Sequence, residues 1–279
     1  MQTDIRLGFM QGRLSPPVDG KIQAFPWYSW QQEFPAAQSL GLRLMEWTLD
    51  QDRLYQNPLL TPQGQQEIRH LCQVHQLAIP TLTGDCFMQA PFWKAGGQDR
   101  AALEADFIAI ARACANIGIQ MIVVPLVDSG RLENEQQEEA LLAFMLAQAE
   151  LFRELGLRII FESDFAPGEL ARFIGRLPAA DFGVNYDIGN SAALGYKPEE
   201  EFAAFGPRIV NVHVKDRVLG GTTVPLGTGN ADFPTVFRLL REAAYTGYLI
   251  MQTARAMDDD HAGALRQYIG QIEAWAKGA

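Results

Sequence analysis

The amino-acid sequence predicts a (β/α)8 TIM barrel, an α/β fold in which eight parallel strands alternate with helices. Short apolar runs alternate with longer amphipathic runs about eight times in 279 residues, about the length typical of this barrel. The apolar runs are continuous, as expected for parallel strands buried on both faces. No Pro/Gly/Ser-rich linker or change of composition divides the chain. We therefore expect a single domain over residues 1–279.

The first half of the chain contains four of these strand-helix units. Its strands are predicted at residues 5–9, 42–47, 78–83 and 121–125. Its helices are predicted at residues 30–40, 62–75, 100–117 and 135–155. Thr61 is a suitable N-cap for the second helix, which would begin with Pro62. The first strand leads into Gln11-Gly12-Arg13, which lacks the glycine-rich phosphate turn that an open doubly wound sheet would need there.

The second half contains the other four units, and each of its strands ends in a polar residue. The fifth strand ends at Glu162, the sixth at Asp187, the seventh beyond His213 and the eighth near Gln252. Helices are predicted at residues 167–177, 199–205, 233–244 and 261–276. The C-terminal ends of all strands in such a barrel meet at one mouth, where active sites lie. We therefore expect these four polar side chains to converge.

Charge and composition exclude several classes of function. The formal net charge is −10, and a surface this acidic repels nucleic-acid phosphates. No apolar run approaches the roughly 20 residues that span a bilayer, and the first residues are too short and polar a run for a signal peptide. The three cysteines are scattered, with no CxxC pair, and predict reduced thiols in a cytoplasmic protein. We expect neither nucleic acid nor membrane as a partner.

The four strand-end residues suggest a metal site. Two carboxylates, one imidazole and one amide oxygen suit Mn²⁺, Mg²⁺, Co²⁺ or Zn²⁺ and leave positions for substrate oxygens. No thiol accompanies them, which argues against a structural zinc site. Each residue alone is as readily explained as an N-cap or ion-pair partner, but four on consecutive strands favour a metal. His213 is the strongest single candidate, because an imidazole between valines on a buried strand needs a polar partner.

A series of motifs resembles a known family. In chain order they are Asp187-Ile188-Gly189-Asn190-Ser191, His213-Val214-Lys215-Asp216-Arg217, Pro225-Leu226-Gly227-Thr228-Gly229 and Gly247-Tyr248. They resemble the xylose-isomerase-like TIM-barrel family of sugar and sugar-phosphate isomerases and epimerases, and Glu46 after the second strand fits the same pattern. The resemblance implies a divalent metal held by Glu162, Asp187, His213 and residue 252. It also implies that the metal binds a ketose while a carboxylate removes the proton next to the carbonyl, giving an enediolate.

The end of the eighth strand departs from this family. The epimerases place a glutamate there as ligand and second acid/base, whereas this sequence has Gln252. An amide oxygen can bind a metal, but an amide cannot accept a proton at neutral pH. One-base isomerisation through Glu162 stays open, as do a dehydratase or lyase reaction on a polyhydroxylated acid and a non-catalytic sugar-binding barrel. An abasic-site endonuclease of the related branch would need more histidines than the four present, and a basic face.

Cationic and aromatic residues complete the predicted site for a small sugar or sugar phosphate. Lys215 and Arg217 are predicted to act in catalysis beside Glu162, although neutralisation of nearby carboxylates explains Lys215 equally well. Guanidinium groups suit a phosphate or carboxylate, and aromatic faces pack on sugar C–H surfaces. Substrate contacts are expected from Arg13, Glu46, Asp85, Trp93, Asn190 and Arg255. Packing of a long loop, or a contact within a homo-oligomer, is an equal explanation for the aromatic residues in the loops.

Overall fold

The computed structural model describes residues 5–278; residues 1–4 and 279, which the one-domain prediction included, lie outside this range. Within it, eight parallel strands close into a barrel in the spatial order first, eighth, seventh, sixth, fifth, fourth, third, second. The barrel strands are Leu7–Met10, Leu44–Thr48, Ala78–Thr83, Met121–Leu126, Arg158–Ser163, Phe182–Asp187, Ile209–Val214 and Tyr248–Met251. The predicted TIM barrel is confirmed.

Ten α-helices occur in the described part of the chain. They are Glu33–Ser39, Pro62–His75, Asp85–Gln89, Gly97–Ile117, Glu135–Glu154, Pro167–Gly175, Ile188–Leu194, Pro198–Phe205, Phe233–Glu242 and His261–Lys277. The eight predicted helices are all present; half of their ends coincide with the prediction, and the others differ by one to three residues. The predicted cap of the second helix is confirmed, since Thr61 Oγ1 accepts a hydrogen bond from the Gly64 amide at 3.0 Å. None of the described helices has the length and apolarity needed to cross a bilayer.

Three short elements at the barrel mouth were not predicted. They are the helices Asp85–Gln89 and Ile188–Leu194, and an antiparallel hairpin that pairs Asp216–Arg217 with Thr223–Val224. Five to seven residues are too few to show helical periodicity, so sequence patterns cannot separate such helices from loops. All three elements follow barrel strands directly and therefore shape the mouth.

The loop after the first strand is held rigidly against the barrel. Glu33 is fully buried, and its carboxylate accepts hydrogen bonds from the backbone amides of Gly12 and Leu14 at 2.9 Å. Arg255, beyond the eighth strand, donates to the carbonyl oxygens of Gly12, Ser15 and Ile22. These contacts join the first-strand loop to the last strand-helix connection. They fix the position of the residues that the loop presents to the mouth.

Candidate metal centre

Three of the four predicted ligands meet at the mouth of the barrel. Glu162, Asp187 and His213 are buried, and each offers one ligand atom within 4.8 Å of the others. The strand register sets this convergence, because Asp187 pairs directly with His213 across the sixth and seventh strands. Glu162 lies one residue before the end of the neighbouring fifth strand. Residues far apart in the chain thus share one corner of the barrel mouth.

The orientation of His213 favours Nδ1 as the ligand atom. Nδ1 lies 3.0 Å from Glu162 Oε2 and 4.0 Å from Asp187 Oδ2. Nε2 lies 2.8 Å from Oε1 of the fully buried Glu46. A metal-bound imidazole characteristically gives its other N–H to a carboxylate, which fixes the tautomer. Glu46, expected to touch substrate, therefore lies behind His213, outside the residues that line the cavity at the mouth.

The charges around His213 fit a divalent cation. Burial lowers the pKa of the imidazole, but the carboxylates of Glu46 and Glu162 outweigh it and raise the pKa to about 10. Three carboxylates, those two and Asp187, thus surround one fully buried imidazole. The negative charge of these carboxylates favours the binding of a cation beside the imidazole. Two carboxylates and one imidazole nitrogen are also a donor set suited to borderline divalent metals.

Amide side chains fix both oxygens of Glu162. Asn185 Nδ2 donates to Oε2 at 2.8 Å, and Asn190 Nδ2 donates to Oε1 at 2.7 Å. Asn185 precedes Asp187 by two residues on the same strand, so both side chains point into the barrel. Asn185 was not among the site residues predicted from the sequence. Its spacing of two residues from Asp187 on a predicted strand places both on the same face and could have identified it. Asn190 and Asp187 come from the same motif. Asp187 Oδ1 caps the following helix by accepting a hydrogen bond from the backbone amide of Asn190 at 2.8 Å.

The fourth predicted ligand, Gln252, contacts the centre through a lysine. Gln252 follows the eighth strand directly, and its Oε1 accepts a hydrogen bond from Lys215 Nζ at 3.2 Å. The same ammonium group donates to Asp187 Oδ2 and to Asn190 Oδ1, each at 3.2 Å. Lys215 therefore lies between two of the predicted ligands, Asp187 and Gln252. It places one positive charge between these two side chains.

A cavity of about 730 Å³ opens above these residues. Its lining includes the predicted site residues Asp85, Glu162, Asn190, Lys215, Arg217 and Gln252. A larger cavity of about 890 Å³ lies at the other end of the barrel, where it is lined by residues at strand N-termini such as Arg158, Ile209 and Tyr248. Active sites of these barrels lie at the C-terminal strand ends, so the smaller cavity is the candidate substrate site.

Besides Glu46, three residues predicted to contact substrate do not line that cavity. Arg13 is buried and donates to the Ile22 carbonyl oxygen and to Gln23 Oε1. Arg255 is bonded to loop carbonyl oxygens, as described above. Trp93 is buried, and its Nε1 donates to the Gly130 carbonyl oxygen at 3.1 Å. In each case the polar group is engaged by backbone of the surrounding loops, and sequence position alone cannot reveal such contacts.

Comparison with known proteins agrees with the fold and identifies the family. The profile described as "xylose isomerase-like TIM barrel" matches residues 34–272. Among solved structures, a xylose isomerase domain protein from Planctomyces limnophilus is 16% identical, with a TM-score of 0.75 and coverage of 98% of both chains. A D-psicose 3-epimerase from Clostridium cellulolyticum H10, solved with D-tagatose, is 10% identical, with a TM-score of 0.76 and coverage of 98% of this chain and 99% of its own.

A third similar structure is the IOLI protein with a bound zinc atom. It is 13% identical, with a TM-score of 0.74 and coverage of 97% of this chain and 98% of its own. A search of curated protein sequences gives no significant match. Structural likeness at these identities establishes the fold, and the profile match, which spans more than half of the sequence, establishes the family. The chain belongs to the xylose isomerase-like TIM-barrel family.

Proposed function

We propose that the protein is a divalent-metal-dependent isomerase or epimerase of a small sugar. The observation that carries this proposal is the convergence of Glu162, Asp187 and His213 within 4.8 Å at the mouth of the barrel. These residues would hold the metal, with the Gln252 oxygen as a fourth protein ligand. A bound metal supplies Lewis-acid polarisation of the substrate carbonyl. The similar structures support this choice, since one is named as a sugar epimerase and another holds zinc.

Glu162 is the proposed base. It lines the substrate cavity, and two amide donors fix its orientation. Glu162 removes the proton from the carbon next to the substrate carbonyl, and the electron pair left behind forms the enediolate. In a one-base isomerisation, Glu162 then returns the proton to the former carbonyl carbon, and the hydroxyl proton passes to the former carbonyl oxygen, so that the other oxygen becomes the new carbonyl. This route requires no second carboxylate, and is therefore compatible with glutamine at position 252.

The two cations that follow His213 have different proposed roles. Lys215 lines the cavity and stabilises the negative charge that develops on the substrate oxygen. Arg217 donates to Asn190 Oδ1 at 2.8 Å and to the Gly221 carbonyl oxygen at 2.7 Å. Asn190 in turn donates to Glu162, so Arg217 helps to orient the base through Asn190. Both residues were predicted to act in catalysis, and in this proposal Lys215 is the one that contacts the substrate.

A dehydratase or lyase that acts on a polyhydroxylated acid is the second candidate. Gln252 favours it, because an amide cannot serve as the second base of an epimerisation. The ammonium of Lys215, 3.2 Å from the Gln252 oxygen, would donate the proton that a departing hydroxyl group needs. The two candidates share the metal site and the proton abstraction. They differ in whether the product has the mass of the substrate or has lost water.

The charges of the cavity favour an uncharged sugar over its phosphate ester. Arg131 pairs with Asp164 at 2.5 Å, and Lys215 and Arg217 already have the partners named above. Four carboxylates also line the cavity, from Asp85, Asp128, Glu162 and Asp164. We expect kcat/KM for a ketose to exceed that for its phosphate ester by at least about tenfold, because like-charge contacts cost several kcal/mol. Steady-state kinetics on each ketose and its own phosphate ester measure this ratio. Equal kcat/KM values for the two compounds would contradict the prediction.

Gly189 provides a structural test of the role of Lys215. A Cβ atom added at Gly189 would lie 2.7 Å from Lys215 Cγ and 3.0 Å from its Cβ, so alanine must displace the lysine. Gly189→Ala is expected to lower kcat about 10- to 100-fold, as small misplacements in active sites do. The matched control is Gly168→Ala, since nothing lies within 4 Å of a Cβ there. Wild-type kcat in the folded Gly189→Ala protein would remove Lys215 from the chemistry.

The decisive experiment is proton exchange in deuterated water. Metal analysis of the purified protein comes first, followed by incubation of the Mn²⁺-loaded protein with ketoses, ketose phosphates and polyhydroxylated acids. We expect deuterium uptake at the carbon next to the carbonyl, detected by NMR, even where turnover is slow. A product that has lost water would select the lyase alternative. Protein that retains no added metal and exchanges no proton would instead support a non-catalytic sugar-binding barrel.

A further inference from the structure

A chain of hydrogen bonds links the loop after the first strand to the metal centre. Gln23 Nε2 donates to Asp85 Oδ2 at 2.6 Å, and Gln252 Nε2 donates to Gln23 Oε1 at 2.9 Å. Lys215 then donates to Gln252 Oε1 and to Asp187 Oδ2. Two amides in series thus connect a carboxylate outside the centre to a lysine beside it. Gln23 was not identified from the sequence.

Two partners, Asp85 and Arg13, fix the orientation of the Gln23 amide and with it the direction of this chain. An ionised Asp85 can only accept, so Gln23 must turn its NH2 group toward it. The Arg13 guanidinium donates to Gln23 Oε1 at 3.2 Å and can only donate, which imposes the same orientation. Gln252 must therefore point its NH2 group at Gln23. Its oxygen is left facing Lys215 and the centre, the orientation that a metal ligand needs.

We propose that Gln23 and Asp85 are positioning residues that make the Gln252 amide a metal ligand by holding its oxygen toward the centre. This inference rests on the proposed function, because it concerns the fourth ligand of the same metal. It explains why an amide stands at position 252. A carboxylate there would face Gln23 Oε1, acceptor against acceptor, where the amide now donates at 2.9 Å. Gln23 could relieve this clash only by turning its own oxygen toward Asp85.

The first test measures Mn²⁺ affinity by calorimetric titration of Gln23→Met. This substitution keeps the length of the side chain and removes its hydrogen bonds with Asp85, Gln252 and Arg13. We expect Mn²⁺ binding to weaken about 10- to 100-fold, as for other residues that orient a metal ligand. Gln89→Met is the matched control, because Gln89 lines the same cavity but contacts Asp50 and Gln51 rather than Gln252. The control should bind Mn²⁺ as the wild type does.

The second test uses metal-free protein and needs no metal binding. Gln252→Glu should lower the midpoint of thermal unfolding by about 5 °C through the acceptor clash. Asp85→Asn should recover part of this loss, because asparagine can donate to Gln23 and lets that amide turn, at the cost of the hydrogen bond from Arg13. Burial raises the pKa of Asp85 to about 7, so a pH of about 8 keeps this carboxylate ionised. When Gln23→Met is also present, Asp85→Asn should no longer raise the unfolding midpoint of Gln252→Glu. If Asp85 instead acted by direct charge repulsion on the new carboxylate, Asp85→Asn would still raise that midpoint.

The outcomes separate this inference from the proposed function. Unchanged Mn²⁺ affinity in Gln23→Met, or a rescue that survives in the Gln23→Met background, overturns the positioning role and leaves the metal site intact. Wild-type protein that binds no Mn²⁺ overturns the proposed function. The unfolding measurements on metal-free protein then still decide whether Gln23 and Asp85 orient the Gln252 amide.

Discussion

Replacing Glu162 by glutamine is expected to lower the rate of proton exchange by about 10²- to 10⁴-fold, the usual contribution of a general base. Glutamine keeps the shape of the side chain and one oxygen, but it cannot accept a proton. The side chain lines the cavity, so the substitution acts at the point where the substrate binds. The measurement is deuterium uptake by any ketose that the wild-type protein exchanges.

The control for this prediction is Glu150→Gln, an exposed change on the helix Glu135–Glu154 that should leave exchange unaltered. Circular dichroism of Glu162→Gln should match the wild type, because the barrel itself is unchanged. Exchange at the wild-type rate in the folded variant would show that another group is the base. Asp85 and Asp164, which also line the cavity, would then be the next carboxylates to test.

Asp187→Asn is expected to weaken Mn²⁺ binding by more than about 100-fold. Residues that merely orient ligands contribute about 10- to 100-fold, and this change removes the charge of a ligand itself. Asp187 Oδ1 accepts a hydrogen bond from the backbone amide of Asn190 at 2.8 Å. The oxygen of the new asparagine can accept the same bond, so the helix cap survives. Titration calorimetry with Mn²⁺, or electron paramagnetic resonance of the bound ion, measures the change.

The matched control for Asp187→Asn is Asp181→Asn. Asp181 is a buried aspartate just before the same strand, at its opposite end, where it pairs with Arg153 at 2.8 Å. Removing this pair should reduce stability without affecting Mn²⁺ affinity. If both variants bind the metal as the wild type does, Asp187 is not a ligand and the convergence with Glu162 and His213 has another purpose.

The architecture was predictable because its signals are local. The buried strands are predominantly apolar runs, and each long helix has a cap or a terminal glycine, such as Thr61 before the second helix or Gly118 after the fourth. The strand ends followed from the architecture, since parallel strands of a barrel deliver their last residues to one mouth. This is why Glu162, Asp187 and His213 could be grouped before any coordinates were known.

The contacts between loops were not predictable for the opposite reason. Arg13 and Arg255 have the residue type and approximate position expected of substrate-binding groups, yet their guanidinium groups are bonded to loop backbone and Gln23. Gln23 lies in a loop without periodicity, and its partner Gln252 is 229 residues away. Such pairings depend on the path of the backbone, which residue patterns do not encode. The sequence shows that residue 252 is a neutral glutamine, but it does not show the hydrogen bond from Gln252 to Gln23 that a carboxylate could not make.

The hydrogen bond between Glu46 and His213 has a consequence for folding. It joins the second strand to the seventh across 167 residues, and Gln252 reaches Gln23 across a still longer separation. Contacts this distant form only after a large loss of chain entropy, which slows their formation relative to local structure. Neither half of the barrel can assemble the centre alone, because the first half supplies Glu46 and Gln23 and the second half supplies the proposed ligands. During synthesis, competence to bind metal should therefore arise late, once the eighth strand has joined the first.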